Sequence, residues 1–357
     1  MKTFASLLLS LLLLTSQDQF VPIPIADPFK VSTSTSLEET RISGKLLATI
    51  INGDFVHPTF SPDANTLAYA RVIKTKDSEN TEVLLHGLSN HQTTVLLSRA
   101  KAWKYATYKA SVSDIAWDTP VRLKVQIHDG DVDSTRLILN PSSRRLIREE
   151  QLPSIDEEPQ QPPIPVGLQA ARKRARSLFP ELPEQVLDNA LRNSAFLIGD
   201  GGIVLQKHFH GHDSNVWLLD FQSRSMKSVI NLSDQQRVTL GGATGFGSST
   251  IILLFDMSRA YLYQYKEGSI RPLAKIAISG QASIEVKYYS RERVIFQTKV
   301  HAPYEQGDNP LFVFDGTLSR VKEYQELYDV DIDRNGRRIA FCYWENGKRK
   351  IAIKELK

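Results

Sequence analysis

Three observations predict that this chain is all-β, a six-bladed β-propeller with seven blades as the alternative. Short strands of alternating apolar residues, each followed by a polar turn, recur along most of the sequence. Their spacing is mostly that of a four-stranded blade. A strand near the N-terminus also lacks a partner, whereas the last repeat lacks a strand. Pairing the two would complete the last blade and leave no exposed sheet edge at the closure.

The first sixteen residues predict a secretory signal peptide. Lys2 supplies a positive charge, residues 4–14 are almost continuously apolar, and Thr15 and Ser16 are small residues before polar chain. An apolar run of this length is typical of a cleaved signal rather than of a spanning helix, and an uncleaved anchor is the alternative. We therefore expect a periplasmic or secreted protein, with residues 17–41 as an N-terminal arm and no transmembrane segment after the signal.

The composition predicts a globular protein and argues against a nucleic-acid partner. Hydrophobic residues make up 41% of the 357 residues and charged residues 24%, which is ordinary for a soluble domain. The net charge of +4 is small, and we see no basic stripe with interleaved aromatic residues. Cys342 is the only cysteine, and its apolar neighbours predict a packed structural thiol in a chain without an intramolecular disulfide. We expect a monomer.

Six strands that share a side-chain pattern mark the repeats. The residues that follow these strands are His86, Asn140, Asp220, Tyr265, Asp315 and Lys354. Successive members are separated by 54, 80, 45, 50 and 39 positions. Four of these intervals lie near the ~40–50 residues expected of one blade. The interval of 80 therefore contains additional sequence.

The additional sequence is predicted to be an insertion at about residues 149–194 of a propeller that covers residues 42–357. Residues 149–165 are acidic and contain five prolines, a composition that cannot join a sheet and that predicts a linker. Residues 168–193 have apolar residues at helical spacing, and Pro183 suits a helix start. We expect helices there.

The ends of the repeat region predict how the last blade is completed. Residues 43–50 have the pattern of a strand that precedes the first complete repeat, and the last repeat ends with a strand at residues 350–353. The prediction is that these two strands pair, so that residues 46–47 lie beside residues 351–353.

The most specific motifs are two turns followed by strands. Residues 61–69 read Ser-Pro-Asp-Ala-Asn-Thr-Leu-Ala-Tyr, and residues 333–341 read Asp-Arg-Asn-Gly-Arg-Arg-Ile-Ala-Phe. Pro, Asp, Asn and Gly form turns because they preset φ, bond their own backbone or accept positive φ. Both motifs resemble the TolB-type, WD40-like (PD40) propeller repeat.

This resemblance implies a propeller with a binding role. TolB-type proteins are periplasmic components of the Tol-Pal envelope system, in which an α/β domain precedes a six-bladed propeller that binds the lipoprotein Pal. The present sequence departs from that pattern, because only residues 17–41 separate the signal from the closing strand. We carry over no binding residue. The first functional hypothesis is a non-catalytic module that binds a protein or a cell-envelope component.

Three histidines are the best metal candidate. His208, His210 and His212 alternate, and alternate residues of a strand share one face, which suits a metal ion bound by imidazoles. The alternative is that these residues form a solvent-exposed polar loop and bind no cofactor. If the histidines hold a divalent metal, the second functional hypothesis is a propeller enzyme, a metal-dependent lyase or hydrolase acting on carbohydrate or peptide.

Four cations in five residues are the best docking candidate. Arg172, Lys173, Arg174 and Arg176 lie in the predicted helical part of the insertion. One interpretation is a solvated helix face, and the other is a patch that binds an acidic polymer, an anionic lipid or an acidic protein surface.

One acidic run imitates a calcium loop. Residues 331–336 fit the opening of an EF-hand loop, but its twelfth position is Cys342, where a bidentate Glu is needed. We predict that these residues form a strand and a turn.

Overall fold

The computed structural model of the protein describes residues 38–40, 45–51, 54–74, 78–102, 111–128, 134–152, 164, 166–209, 213–232, 238–256, 259–277, 282–300, 310–321 and 327–356. The predicted signal peptide and most of the predicted N-terminal arm lie outside these residues.

The described residues form six sheets of four antiparallel strands, and a short parallel strand extends one of them. Sheet 1 contains β3 (Asp54–Phe60), β4 (Thr66–Lys74), β5 (Ser78–Gly87) and β6 (Thr93–Ala102). Sheet 2 contains β7 (Ser111–Thr119), β8 (Arg122–His128), β9 (Ser134–Asn140) and β10 (Arg145–Leu152). Sheet 3 contains β11 (Ala195–Ile198), β12 (Gly202–Phe209), β13 (Asp213–Asp220) and β14 (Ser225–Leu232). Sheet 4 contains β15 (Thr239–Phe246), β16 (Ser249–Phe255), β17 (Arg259–Lys266) and β18 (Ser269–Ala277).

The last two sheets include the N-terminal strands. Sheet 5 contains β19 (Ala282–Tyr289), β20 (Val294–Val300), β21 (Leu311–Phe314) and β22 (Leu318–Val321), with β1 (Glu38–Thr40) added beside β22. Sheet 6 contains β23 (Leu327–Ile332), β24 (Arg338–Glu345), β25 (Lys348–Glu355) and β2 (Leu46–Ile50). Among the described residues only α1 (Val166–Leu178) and α2 (Glu184–Asn193) are α-helices. The all-β fold class is therefore confirmed, whereas the number of blades stays a prediction.

The sequence predicted to be a linker, residues 149–165, begins inside a strand. β10 extends through Leu152 and pairs Glu149 and Glu150 with Leu137 and Arg136 of β9. These residues can join the sheet because they precede the prolines, which begin at Pro153. Residues 153–163 and 165 of the predicted linker lie outside the described residues.

The chain divides into two compact units. Pro163–Ile278 form the helical unit, which contains α1, α2 and sheets 3 and 4. Ser36–Pro162 and Ser279–Lys357 form the four-sheet unit, which contains sheets 1, 2, 5 and 6. In the four-sheet unit, separate apolar clusters join sheet 5 to sheet 6, sheet 6 to sheet 1 and sheet 1 to sheet 2.

The predicted pairing of the N-terminal and C-terminal strands is confirmed. β2 runs antiparallel to β25, with Ala48 opposite Ile353 and Ile50 opposite Ile351. The backbone N–H of Glu355 also donates to the carbonyl oxygen of Lys45 at 2.9 Å. The N-terminal strand thus supplies the fourth strand of the last sheet.

The two predicted turns are also present. The N–H of Ser61 donates to the carbonyl oxygen of Thr66 at 2.8 Å, and the Ser61 hydroxyl donates to Asp63. In the C-terminal turn, the carboxylate of Asp333 accepts the N–H groups of Arg337 and Arg338 at 2.7 and 3.0 Å. Asp333 therefore stabilises a turn, and the likeness of residues 331–336 to a calcium loop reflects that turn.

Cys342 is fully buried between sheets 6 and 1, as predicted. Its thiol donates to the carbonyl oxygen of Phe55 at 3.5 Å. Burial raises the pKa of the Cys342 thiol well above its usual value, which disfavours the nucleophilic thiolate.

Candidate functional site

A helical layer, α1 and α2, covers one face of sheet 3. Its buried residues are Leu168, Ala171, Ala175, Phe179, Leu182, Leu187, Ala190 and Leu191. They pack against Ile203, Leu205, Trp217, Leu219 and Phe221 of sheet 3 and its β13–β14 turn. The opposite side of α1 is solvent-exposed and carries the predicted cationic residues.

Two of the four predicted cations hold the helical layer together. The Arg172 guanidinium donates to both carboxylate oxygens of Asp188 at 2.6 Å and to Glu184 at 3.0 Å. Arg176 also pairs with Glu184. The hydrogen bonds from Arg172 lower the pKa of the Asp188 carboxyl. These contacts join α1 to α2, so the charges of Arg172 and Arg176 are paired with carboxylates of α2.

The other two cations face outward. Lys173 is exposed, and Arg174 is exposed although its guanidinium lies 4.9 Å from the centroid of the Phe221 ring. Arg174 also donates to the carbonyl oxygen of Asp200 at 3.1 Å. Neither contact neutralises Arg174, because an aromatic ring and a carbonyl oxygen carry no negative charge. Lys173 and Arg174 are therefore the part of the patch best placed to attract an anion.

The structure does not test the predicted histidine site. His208 lies near the end of β12 and is opposite Ser214 of β13. His210 and His212 lie outside the described residues. Within the described part of the chain, no group of three or more His, Cys, Asp or Glu side chains is arranged to hold a metal ion.

A polar cluster on the first strands of three sheets was not anticipated from the sequence. We call His57 of β3 with Asp329 and Asp331 of β23 the inner-strand cluster. The Asp329 carboxylate accepts the backbone N–H of His57 at 3.0 Å, and the same oxygen lies 3.5 Å from His57 Nδ1. His57 Nε2 lies 3.1 Å from the carbonyl oxygen of Val112 on β7. The cluster therefore connects sheets 6, 1 and 2 of the four-sheet unit.

The second carboxylate of this cluster has a main-chain partner too. Asp331 accepts the backbone N–H of Phe60 at 2.7 Å. Burial raises the pKa of the Asp331 carboxyl, although the hydrogen bond from Phe60 acts in the opposite direction. Both carboxylates are thus used to bond a backbone amide of the neighbouring sheet, which is a structural arrangement.

Irregular strands bring these groups together. The pairing of β3 with β4 shifts between Val56 and Thr59, and that of β23 with β24 shifts between Tyr328 and Asp331. His57 and Asp329 adopt positive φ, 54° and 45°, within these irregularities. His and Asp accept this conformation more readily than most residues. The sequence signal that could have indicated it is Pro58, because proline inside a strand often marks a bulge.

Comparisons with known proteins give fold-level likeness only. No family model matches the sequence, and no curated protein is significantly similar to it. Structural neighbours include TolB and other propeller proteins. TolB from Acinetobacter baumannii is 11% identical with a TM-score of 0.29, and the match covers 81% of this chain and 80% of that one. An oligogalacturonate lyase in complex with manganese is 11% identical with a TM-score of 0.42, covering 89% and 98%.

Other neighbours are longer or are parts of peptidases. The propeller domain of the Trilobed protease from Pyrococcus furiosus, described as having an open velcro topology, is 13% identical with a TM-score of 0.32, covering 84% of this chain and 79% of that one. The match to a prolyl endopeptidase (12% identity, TM-score 0.33) covers 87% of this chain but spans only 42% of the endopeptidase. Such distant likeness carries no argument about activity, and membership of the PD40 repeat family stays a prediction.

In the part of the chain that the structure describes, no helix is both long and apolar enough to cross a membrane.

Proposed function

We propose that this protein is an exported, non-catalytic binding module of the β-propeller class, which docks on a protein or a cell-envelope polymer through its helical layer. The observation that carries the proposal is the outward position of Lys173 and Arg174 on a layer that is packed on its other side. Residues 166–193 contain five basic and three acidic side chains, so the layer is positive overall.

The rigidity of the layer supports this role. The Arg172–Asp188 pair is bidentate, a geometry that fixes orientation as well as adding energy. A charged surface that is already ordered loses little conformational entropy when a partner binds. The partner that fits is acidic, because a negative surface opposite this positive patch speeds association and favours the correct partner.

The inner-strand cluster supports a non-catalytic role in the four-sheet unit. A general acid or base must reach a substrate proton. Asp329 and Asp331 instead accept backbone N–H groups of β3. Breaking these half-buried hydrogen bonds to contact a substrate would deprive two backbone amides of β3 of these acceptors, which is costly.

The test is a pull-down from an envelope fraction with three proteins. Wild type is compared with Lys173→Gln/Arg174→Gln, which removes the outward charges, and with Arg172→Gln, which removes the charge that pairs with α2. We expect the double variant to lose the captured acidic partner, and the loss to be reproduced by raising the salt concentration in the wild-type experiment. Identical capture by wild type and the double variant would exclude the cationic patch, and no specific capture by wild type would exclude the binding module.

The second candidate function is a metal-dependent lyase or hydrolase that uses His208, His210 and His212. β12 and β13 remain paired as far as Phe209 and Asp213, and the three histidines fall within five consecutive positions of the sequence, of which 210–212 lie outside the described residues. The test is elemental analysis of the purified protein and of the variant with all three histidines changed to Ala. One equivalent of metal that disappears in the variant would favour the enzyme, and equal metal content in both proteins would exclude this site.

A further inference from the structure

A pair of histidines lies at the turn between β5 and β6 of sheet 1, away from both sites discussed above in sequence. His86 is the penultimate residue of β5, and His91 is in the turn that leads to β6. The centroids of the two imidazole rings are 6.0 Å apart, and the ring planes are inclined by 49°. Neither ring is used by the proposed docking surface or by the predicted His208 site.

One ring nitrogen of His86 is hydrogen-bonded, and the other is buried without a partner among the described residues. His86 is only 6% exposed. Its Nδ1 lies 2.9 Å from the hydroxyl oxygen of Thr93, which itself interacts with the Tyr69 hydroxyl. Its Nε2 is buried and has no hydrogen-bond partner among the described residues. When Nδ1 donates to the Thr93 oxygen, Nε2 carries a free lone pair, which is the tautomer that a metal-binding histidine needs.

The turn holds His91 near the ring of His86. His91 has a φ of 54°, in the left-handed region, and its N–H donates to the carbonyl oxygen of Gly87 at 2.9 Å. The N–H of Gly87 in turn donates to the carbonyl oxygen of Gln92 at 2.9 Å. The His91 side chain is exposed, so an ion bound between the two rings would be reached from solvent.

The spacing of the rings fits one shared ion. With a nitrogen–metal bond of about 2.0–2.1 Å, the centroid of an imidazole lies roughly 3.2 Å from the metal. Two rings on one ion can therefore be separated by at most about 6.4 Å. The observed separation of 6.0 Å lies within this limit.

We propose that His86 and His91 bind one late first-row divalent cation, with water molecules completing its coordination. Two imidazoles without a carboxylate favour Cu²⁺, Ni²⁺ and Zn²⁺ over Mg²⁺, Ca²⁺ and Mn²⁺. Among these three ions, Cu²⁺ should bind most tightly, as the Irving–Williams order predicts.

The test is isothermal titration of the purified full chain with CuCl₂, ZnCl₂ and MgCl₂. Four proteins are compared: wild type, His91→Asn, Thr93→Val and His57→Asn. Asn tolerates the positive φ of position 91, so the turn is retained while the imidazole is lost. His57→Asn is the matched control, because His57 also has a positive φ, 54°, but its Nε2 already faces a carbonyl oxygen.

We expect His91→Asn to lose one equivalent of Cu²⁺ and Zn²⁺ relative to wild type, and His57→Asn to lose none. Thr93→Val removes the group that orients His86 and should weaken binding about 10-fold or more while keeping the stoichiometry. Metal held by His208, His210 and His212 is counted separately, because it survives in His91→Asn. Equal stoichiometry in wild type and His91→Asn, or binding of Mg²⁺ as tight as that of Zn²⁺, would overturn the proposal.

Discussion

Replacing Phe179 with Ala tests whether the helical layer is a packed part of the helical unit. Phe179 follows α1 and is 2% exposed, with its ring centroid 6.4 Å from that of Phe221. Its N–H also donates to the carbonyl oxygen of Ala175 at 2.8 Å, which the substitution leaves intact. The change therefore removes side-chain packing and little else.

The expected loss follows from burial. Truncating a buried Phe to Ala destabilises proteins by about 3–5 kcal/mol, and the lower end applies where neighbours can move into the space. The helical layer is packed on one sheet face, so we expect about 3 kcal/mol, a large share of a typical unfolding free energy of roughly 5–15 kcal/mol. Phe179→Leu keeps most of the volume and should cost under about 1.5 kcal/mol.

Urea unfolding followed by far-ultraviolet circular dichroism measures these differences as shifts of the midpoint at constant slope. Ser177→Ala is the control, because Ser177 is exposed on α1 and its change should stay within about 0.5 kcal/mol. If Phe179→Ala lowered the unfolding free energy by less than about 1 kcal/mol, the packing of the layer on sheet 3 would be refuted.

Three further predictions concern single side chains. Asp188→Asn should lower the free energy of unfolding by about 0.5–1 kcal/mol at pH 7. Because the pKa of Asp188 is lower in the folded protein than in the unfolded chain, the stabilisation is complete above the unfolded-state pKa and is lost as the pH falls through the folded-state pKa. The melting temperatures of wild type and variant should therefore converge in acid. Gly336→Ala should destabilise more than Gly347→Ala in chemical unfolding, because both glycines have positive φ but only the first would place a methyl group 2.1 Å from the Tyr288 ring; equal costs would contradict the close approach. Cys342 should react with a thiol reagent only as fast as the protein unfolds, since its thiol is buried and its pKa is raised; labelling at the rate of a free thiol in folded protein would show that sheets 6 and 1 do not cover it.

The sequence was most informative where local pattern and pairing agree. The sequence pattern predicts that the strand at residues 43–50 pairs with the last strand, because each lacks a partner, and β2 does pair with β25. The turn motifs were predicted from Pro, Asp and Gly, whose backbone preferences act within a few residues. Such features depend on short stretches of chain.

Contacts between distant residues could not be predicted in the same way. Arg172 pairs with Asp188 because the chain reverses between α1 and α2. The helical pattern of the sequence alone does not predict how closely the two helices approach each other. His57 and Asp329 are 272 positions apart and meet because two strands bulge. No glycine marks either positive φ, so the usual signal was missing.

One signal for the position of the helical layer is nevertheless present in the strands on either side of the insertion. In sheet 2, Leu123, Val125 and Ile127 are buried and alternate with Lys124 and Gln126, which are not. This alternation indicates one apolar face, and that face packs on sheet 1. The second face is already polar, with Arg136, Arg148 and Glu150 forming ion pairs.

Sheet 3 has the opposite pattern. Residues 203–205 of β12 and 216–219 of β13 are continuous apolar runs, which indicate burial on both faces. Val204 packs towards sheet 4, and Ile203 and Leu205 point to the other side, where the helical layer covers them. Without that layer, sheet 3 would expose a broad apolar face, which soluble proteins rarely do. The helices that carry the cations therefore cover an apolar face of sheet 3 that must be buried. The proposed docking surface is the outer side of this same layer.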